Sequence, residues 1–175
     1  MKKEDKMIKI AGILMIIGSS GFLGSYIYKT LKNRCDILKE MLNSIDILQA
    51  EIVFRRSDLP SALKTVAERT KGYVSLFWSE TGQSVSENQS VHAAFEKGLN
   101  LIKNKGITKE DAAVISTLSG IIGKYDSLEQ AQMMKNIKEL INVQWLEGNR
   151  ELTEKGKLYR ALGVSFGIVV ALVMI

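Results

Sequence analysis

The stretch Ile10–Tyr28, IAGILMIIGSSGFLGSYIY, runs nineteen residues without a charge. As a helix rising 1.5 Å per residue it would reach about 28 Å, close to the hydrocarbon thickness of a bilayer. A second apolar run, ALGVSFGIVVALVMI, covers Ala161–Ile175. Every charged residue lies outside these two runs. They divide the chain into an extracytoplasmic tip over 1–9, a transmembrane helix over 10–28, a cytoplasmic helical domain over 29–160 and a C-terminal segment over 161–175. At fifteen residues the last segment is short for a full crossing, so it either spans a thin bilayer or only inserts.

Orientation follows from the basic residues. Lys29, Lys32, Arg34 and Lys39 follow the first run, and Arg150, Lys155, Lys157 and Arg160 precede the second. They outweigh Lys2, Lys3, Lys6 and Lys9, so the positive-inside rule puts the central domain in the cytoplasm. The basic start followed by Gly18–Gly21 also resembles a signal peptide, but Phe22–Tyr28 prolongs the apolar stretch into a helical pattern. Both runs carry small residues four apart: Ser20 and Gly24, Gly21 and Ser25, Gly163 and Gly167. Such pairs allow close helix contact in lipid.

The remaining stretch of about 130 residues is long enough to bury a core. Its single cysteine, Cys35, excludes an internal disulfide framework. The net charge of +5 suits anionic lipid. Nucleic acid is not an expected partner, because no basic patch is interleaved with aromatics.

Periodicity makes the domain all-α. Leu31, Cys35, Leu38, Leu42, Ile45, Leu48 and Ile52 recur every three or four residues, predicting a helix over Lys29–Arg56 with Arg34 and Glu51 off the apolar stripe. Ser57-Asp58-Leu59-Pro60 caps a second helix, ended by Gly72. Val74, Phe77 and Trp78 predict a brief third helix, and Thr81–Asn88 a loop. Ser90–Asn104 is helical again. Thr108-x-x-Asp111 resembles a capping box with aspartate in the usual glutamate place. Gly123–Asp126 turns the chain, and Ser127 caps a last long helix buried through Leu128, Ala131, Met134, Ile137, Ile141 and Trp145 or Leu152. The architecture expected is a bundle of about six helices, the two long ones continuing into the terminal membrane segments.

No catalytic constellation accompanies this pattern. His92 and Glu96 lie four apart on a helix without further ligands, so a surface pair is the expectation. Gly120-Ile121-Ile122-Gly123-Lys124-Tyr125 has the wrong spacing for a phosphate loop and no preceding strand. One histidine and one cysteine make no nucleophile–base pair. Neither enzymatic activity nor a cofactor or metal site is expected.

Several segments together resemble the stage III sporulation protein AB family. They are the glycine-containing N-terminal span, Leu48-Gln49-Ala50-Glu51-Ile52, Leu59-Pro60-Ser61-Ala62-Leu63, Gly106–Asp111, Gly120 with Gly123, Asp126, Gln130, and Leu162-Gly163-Val164 with Gly167. The resemblance implies a protein of the mother-cell membrane around the forespore that helps build a channel complex between the two cells. That family in turn resembles the cytoplasmic domain of type II secretion and type IV pilus platform proteins. This likeness implies a non-enzymatic platform subunit that docks the sporulation ATPase of the same operon and organises other membrane components. Platform proteins usually have two such domains and this chain has one, which leaves self-pairing into a homo-oligomer open. The alternative is a membrane-anchored sensor or signalling scaffold with a ligand-binding helical domain.

Overall fold

The computed structural model describes residues 2–122 and 127–156, together with 158–159, 161–162, 165 and 169. Its elements are six α-helices: α1 (Lys2–Gln49), α2 (Leu59–Arg69), α3 (Gly72–Ser86), α4 (Val91–Ile102), α5 (Lys109–Ser116) and α6 (Ser127–Glu151). No strand occurs among the described residues. A single π turn follows each long helix, Ala50–Phe54 after α1 and Leu152–Gly156 after α6, and a 3₁₀ turn, Thr117–Gly120, follows α5.

The chain divides into two units. Asn33–Gly148 forms one, within the 29–160 expected for the central domain; Met1–Lys32 with Asn149–Ile175 forms the other.

In the Asn33–Gly148 unit the apolar stripe of α1 is buried at Cys35, Leu38, Ile45 and Leu48. Met41, absent from the predicted stripe, is fully buried as well. From α6, Met134, Ile137 and Ile141 join the same core. Its aromatic centre is Phe77, Trp78 and Phe95, with ring centroids 4.8–5.6 Å apart in edge-to-face pairs, the arrangement the ring quadrupole favours.

Sequence pattern and structure part company around α3. Thr81–Asn88, expected as a loop, lies within α3 as far as Ser86. Its small polar residues are poor helix formers, but they are what close packing requires. A Cβ on Gly82 would stand 3.3 Å from Leu63 Cβ. The Thr81 hydroxyl donates to the Phe77 carbonyl at 2.7 Å. Packing overrides propensity here. The partner surface on α4 is cut equally close: a Cβ on Gly98 would fall 2.6 Å from Thr81 Oγ1 and 2.9 Å from the Phe77 carbonyl oxygen. Gly72 does not end α2, which stops at Arg69; with φ +60° it opens α3 instead.

Capping follows the sequence where it was legible. Asp58 accepts from the Ser61 amide at 3.1 Å. Ser90, expected only as the first residue of a helix, is the N-cap of α4 and accepts from the Ala93 amide at 3.2 Å. The capping box of Thr108 and Asp111 is complete. The start of α3 has no cap from its own N-cap side chain; Glu40 of α1 accepts from the Lys71 amide there at 3.1 Å. The expected turn at Gly123–Asp126 lies outside the described residues.

In the other unit, Gly156 is buried, and a Cβ on it would stand 3.1 Å from Tyr28 Cδ2. Large apolar side chains stand exposed, including Met15 at 77% and Phe22 at 73%. Among the described residues no helix is long and apolar enough to cross a membrane. Most side chains of 10–20 and most residues of 161–175 lie outside the described set.

Candidate functional site

A buried ion pair joins α1 and α5 in the Asn33–Gly148 unit. Arg34 Nε donates to Asp111 Oδ2 at 2.8 Å and Nη2 donates to Oδ1 at 3.0 Å, a bidentate fork with side chains 7% and 0% exposed. Arg34 Nη2 also donates to Gln144 Oε1 on α6 at 3.3 Å. Gly148 of α6 packs beside this pair, where an added Cβ would make ordinary contact at 3.7 Å with the Arg34 guanidinium carbon. Arg34 was expected on the membrane-proximal basic flank and off the apolar stripe. It is instead buried, because its charge is consumed by a fully buried carboxylate. Its spacing, three residues after Leu31 and four before Leu38, is that of the core face, a signal that its charge masks in the sequence.

Asp111 has a second task. Oδ2 accepts from the Thr108 amide at 2.8 Å while the Asp111 amide donates to Thr108 Oγ1 at 3.1 Å. One carboxylate therefore closes the cap of α5 and neutralises Arg34. Glu51, also expected off the stripe, is 3% exposed. Its carboxylate accepts from Arg55 Nη1 at 2.9 Å and from Ser57 Oγ at 3.0 Å.

Two open grooves mark the surface of this unit. One, of about 640 Å³, runs between α2 and α3, with Pro60, Lys64 and Ala67 on one side and Trp78, Gly82 and Gln83 on the other. Trp78 Nε1 is buried without a hydrogen-bond partner. The other, of about 600 Å³, lies between α1 and the start of α3, bordered by Asp36, Lys39, Glu40, Lys71 and Tyr73. Lys105 Nζ lies 5.6 Å from the Tyr73 ring centroid.

The other residues singled out on sequence are not gathered into one place. Lys29, Lys32, Arg150 and Lys155 are exposed. Two of these are paired across the end of α6 and the π turn after it, Arg150 with Glu154 at 2.9 Å and Lys155 with Glu151 at 3.0 Å. Of the small residues, Gly24 is buried, Ser25 is exposed, and a Cβ on Gly21 would meet nothing within 4 Å. Lys157, Arg160, Gly163, Gly167 and the side chain of Ser20 lie outside the described residues. The close helix approach that is visible falls at Gly156, which the four-residue spacing did not indicate. His92 is exposed, with Nδ1 3.2 Å from Ser119 Oγ. Among the described residues no group of three His, Cys, Asp or Glu side chains could hold a metal ion.

The family described as Stage III sporulation protein AB matches residues 9–175. The chain belongs to the stage III sporulation protein AB family. Stage III sporulation protein AB of Bacillus subtilis (strain 168) is 19% identical over 170 residues, which cover 96% of this chain and 99% of that relative. A solved structure of a Stage III sporulation protein AB (SpoIIIAB) matches with a TM-score of 0.63 at 17% identity, over 69% of this chain and 96% of the other. This likeness shows a shared fold. Membership in the stage III sporulation protein AB family gives the chain its role in sporulation.

Proposed function

We propose that this stage III sporulation protein AB family member is a non-enzymatic platform subunit of a channel complex between mother cell and forespore. It is anchored through 10–28 and 161–175, with its helical domain in the mother-cell cytoplasm. There the domain docks the sporulation ATPase of the same operon and organises other membrane components. The observation that carries the reading is α1. This one helix, Lys2–Gln49, includes the uncharged Ile10–Tyr28 stretch with Phe22 and Leu23 exposed, and then supplies the core of Asn33–Gly148 through Leu38, Met41, Ile45 and Leu48. Apolar side chains facing outward on an uncharged helix suit hydrocarbon. The same helix turning apolar residues inward suits a polar, protein-binding domain. Lys29, Lys32, Arg150 and Lys155, with Lys157 and Arg160, then stand at anionic headgroups, without Arg34.

The reading is tested by expressing the full-length chain with the ATPase in sporulating cells and isolating membranes. Co-fractionation of the ATPase that depends on this chain is expected. Failure of the two folded proteins to associate, in membranes and in detergent, would remove the platform role.

A further inference from the structure

Phe54 is 79% exposed, an unusual position for a phenylalanine in a domain that buries Phe77 and Phe95 completely. It ends the π turn after α1 and is followed by exposed Arg55 and Arg56. Side-chain and backbone hydrogen bonds hold this tip in shape. Glu51, with its side chain 5% exposed, grips Arg55 and Ser57 through separate carboxylate oxygens. The backbone closes around it, the Ser57 amide donating to the Glu51 carbonyl at 3.0 Å and the Arg55 amide to the Ala50 carbonyl at 3.1 Å. Arg56 is held at φ +53°, a left-handed conformation that a Cβ disfavours and glycine would adopt freely. A left-handed residue after the last turn is a common way for a helix to end, but glycine usually fills it; here an arginine does, at some cost in strain, and its side chain stays at the tip.

We propose that Phe54, Arg55 and Arg56 form a preorganised docking knob for a protein partner that offers an apolar socket bordered by carboxylates. Glu51 is turned inward, so the surface presents the ring and two guanidinium groups. Arg55 keeps its side chain 64% exposed even while bonded to Glu51. Aromatic and arginine side chains on a rigid support are the residue types that concentrate binding energy at protein interfaces. The assignment rests on the platform reading, and gives that reading its point of contact with the ATPase.

The test uses the full-length chain in detergent micelles, titrated with the sporulation ATPase. Phe54→Ala is expected to weaken association about tenfold or more, with unchanged thermal unfolding because the ring is exposed. Arg56→Lys should bind nearly as the natural chain does. Arg56→Gly should weaken binding without lowering the thermal midpoint, since it removes both the charge and the backbone strain. A purely structural arginine would not separate binding from stability in that way. If the natural chain binds and all three variants bind equally, the knob is overturned and the platform reading stands. If the natural chain fails to bind, both fall together. If the variants lose affinity for phosphatidylglycerol vesicles and keep it for the ATPase, the tip contacts lipid and the knob is again overturned.

Discussion

Asp111 shows how much can depend on one side chain. Its carboxylate is fully buried, accepts a bidentate pair from Arg34, and completes the α5 cap. Replacing both members of such a pair with apolar residues is often tolerated, whereas removing one strands a buried charge. Asp111→Ala is therefore expected to lower unfolding free energy by about 3–5 kcal/mol. Adding Arg34→Met should recover part of that loss, although the cap stays open. Urea denaturation of the three proteins checks this; a double variant no more stable than the single would show that the cap, rather than the stranded guanidinium, sets the cost. The glutamate usual at this place in a capping box is one methylene longer. Aspartate here reconciles the local cap with a partner seventy-seven residues away in sequence.

At the scale of elements, α2 offers a pH test. Hydrogen bonds from the Ser61 hydroxyl and then the Ser61 amide hold the exposed Asp58 carboxyl below its ordinary value of 3.8. A carboxylate whose pKa is depressed on folding contributes stability above its unfolded pKa and loses it as pH falls through the folded one. Asp58→Asn keeps a capping oxygen but does not titrate. The natural chain should thus exceed the variant at neutral pH by a margin that is constant down to about pH 5 and shrinks below about pH 4. Thermal melts across that range decide it, and a margin independent of pH would show that the cap works without its charge. Caps of this kind were legible because donor and acceptor lie within four residues. So were the stripes of α1 and α6, whose Leu38, Ile45, Met134 and Ile141 are buried as their spacing requires. What escaped was long-range. The helix through Thr81–Ser86 is held by packing, with Gly82 against Leu63 and Thr81 against Gly98. The cap of α3 comes from Glu40, thirty-one residues upstream. Periodicity within one segment carries no trace of either.

Over the whole molecule, the proposed anchoring rests on the charges beside the two apolar runs. Changing Arg150, Lys155, Lys157 and Arg160 to acidic residues is expected to disturb membrane topology or lipid contact. Protease protection and membrane fractionation measure this, and an unchanged pattern would place the determinant of orientation elsewhere. Arg150 and Lys155 already share their charge with Glu154 and Glu151, so Lys157 and Arg160 are expected to account for more of the effect. The family and its all-α architecture were readable from segments scattered over the chain; of these, Leu48–Ile52, Leu59–Leu63 and Gly106–Asp111 lie at helix boundaries. The Arg34–Asp111 fork was not, since its two halves look ordinary apart. It also ties a local cap to a distant helix. Excised as a peptide, α5 would be eight residues long, too short to hold a helix in water by its Thr108 cap alone, and it would also lose the guanidinium that its aspartate meets. One carboxylate thus makes a short segment answerable both to its own first turn and to a helix at the far end of the domain's sequence.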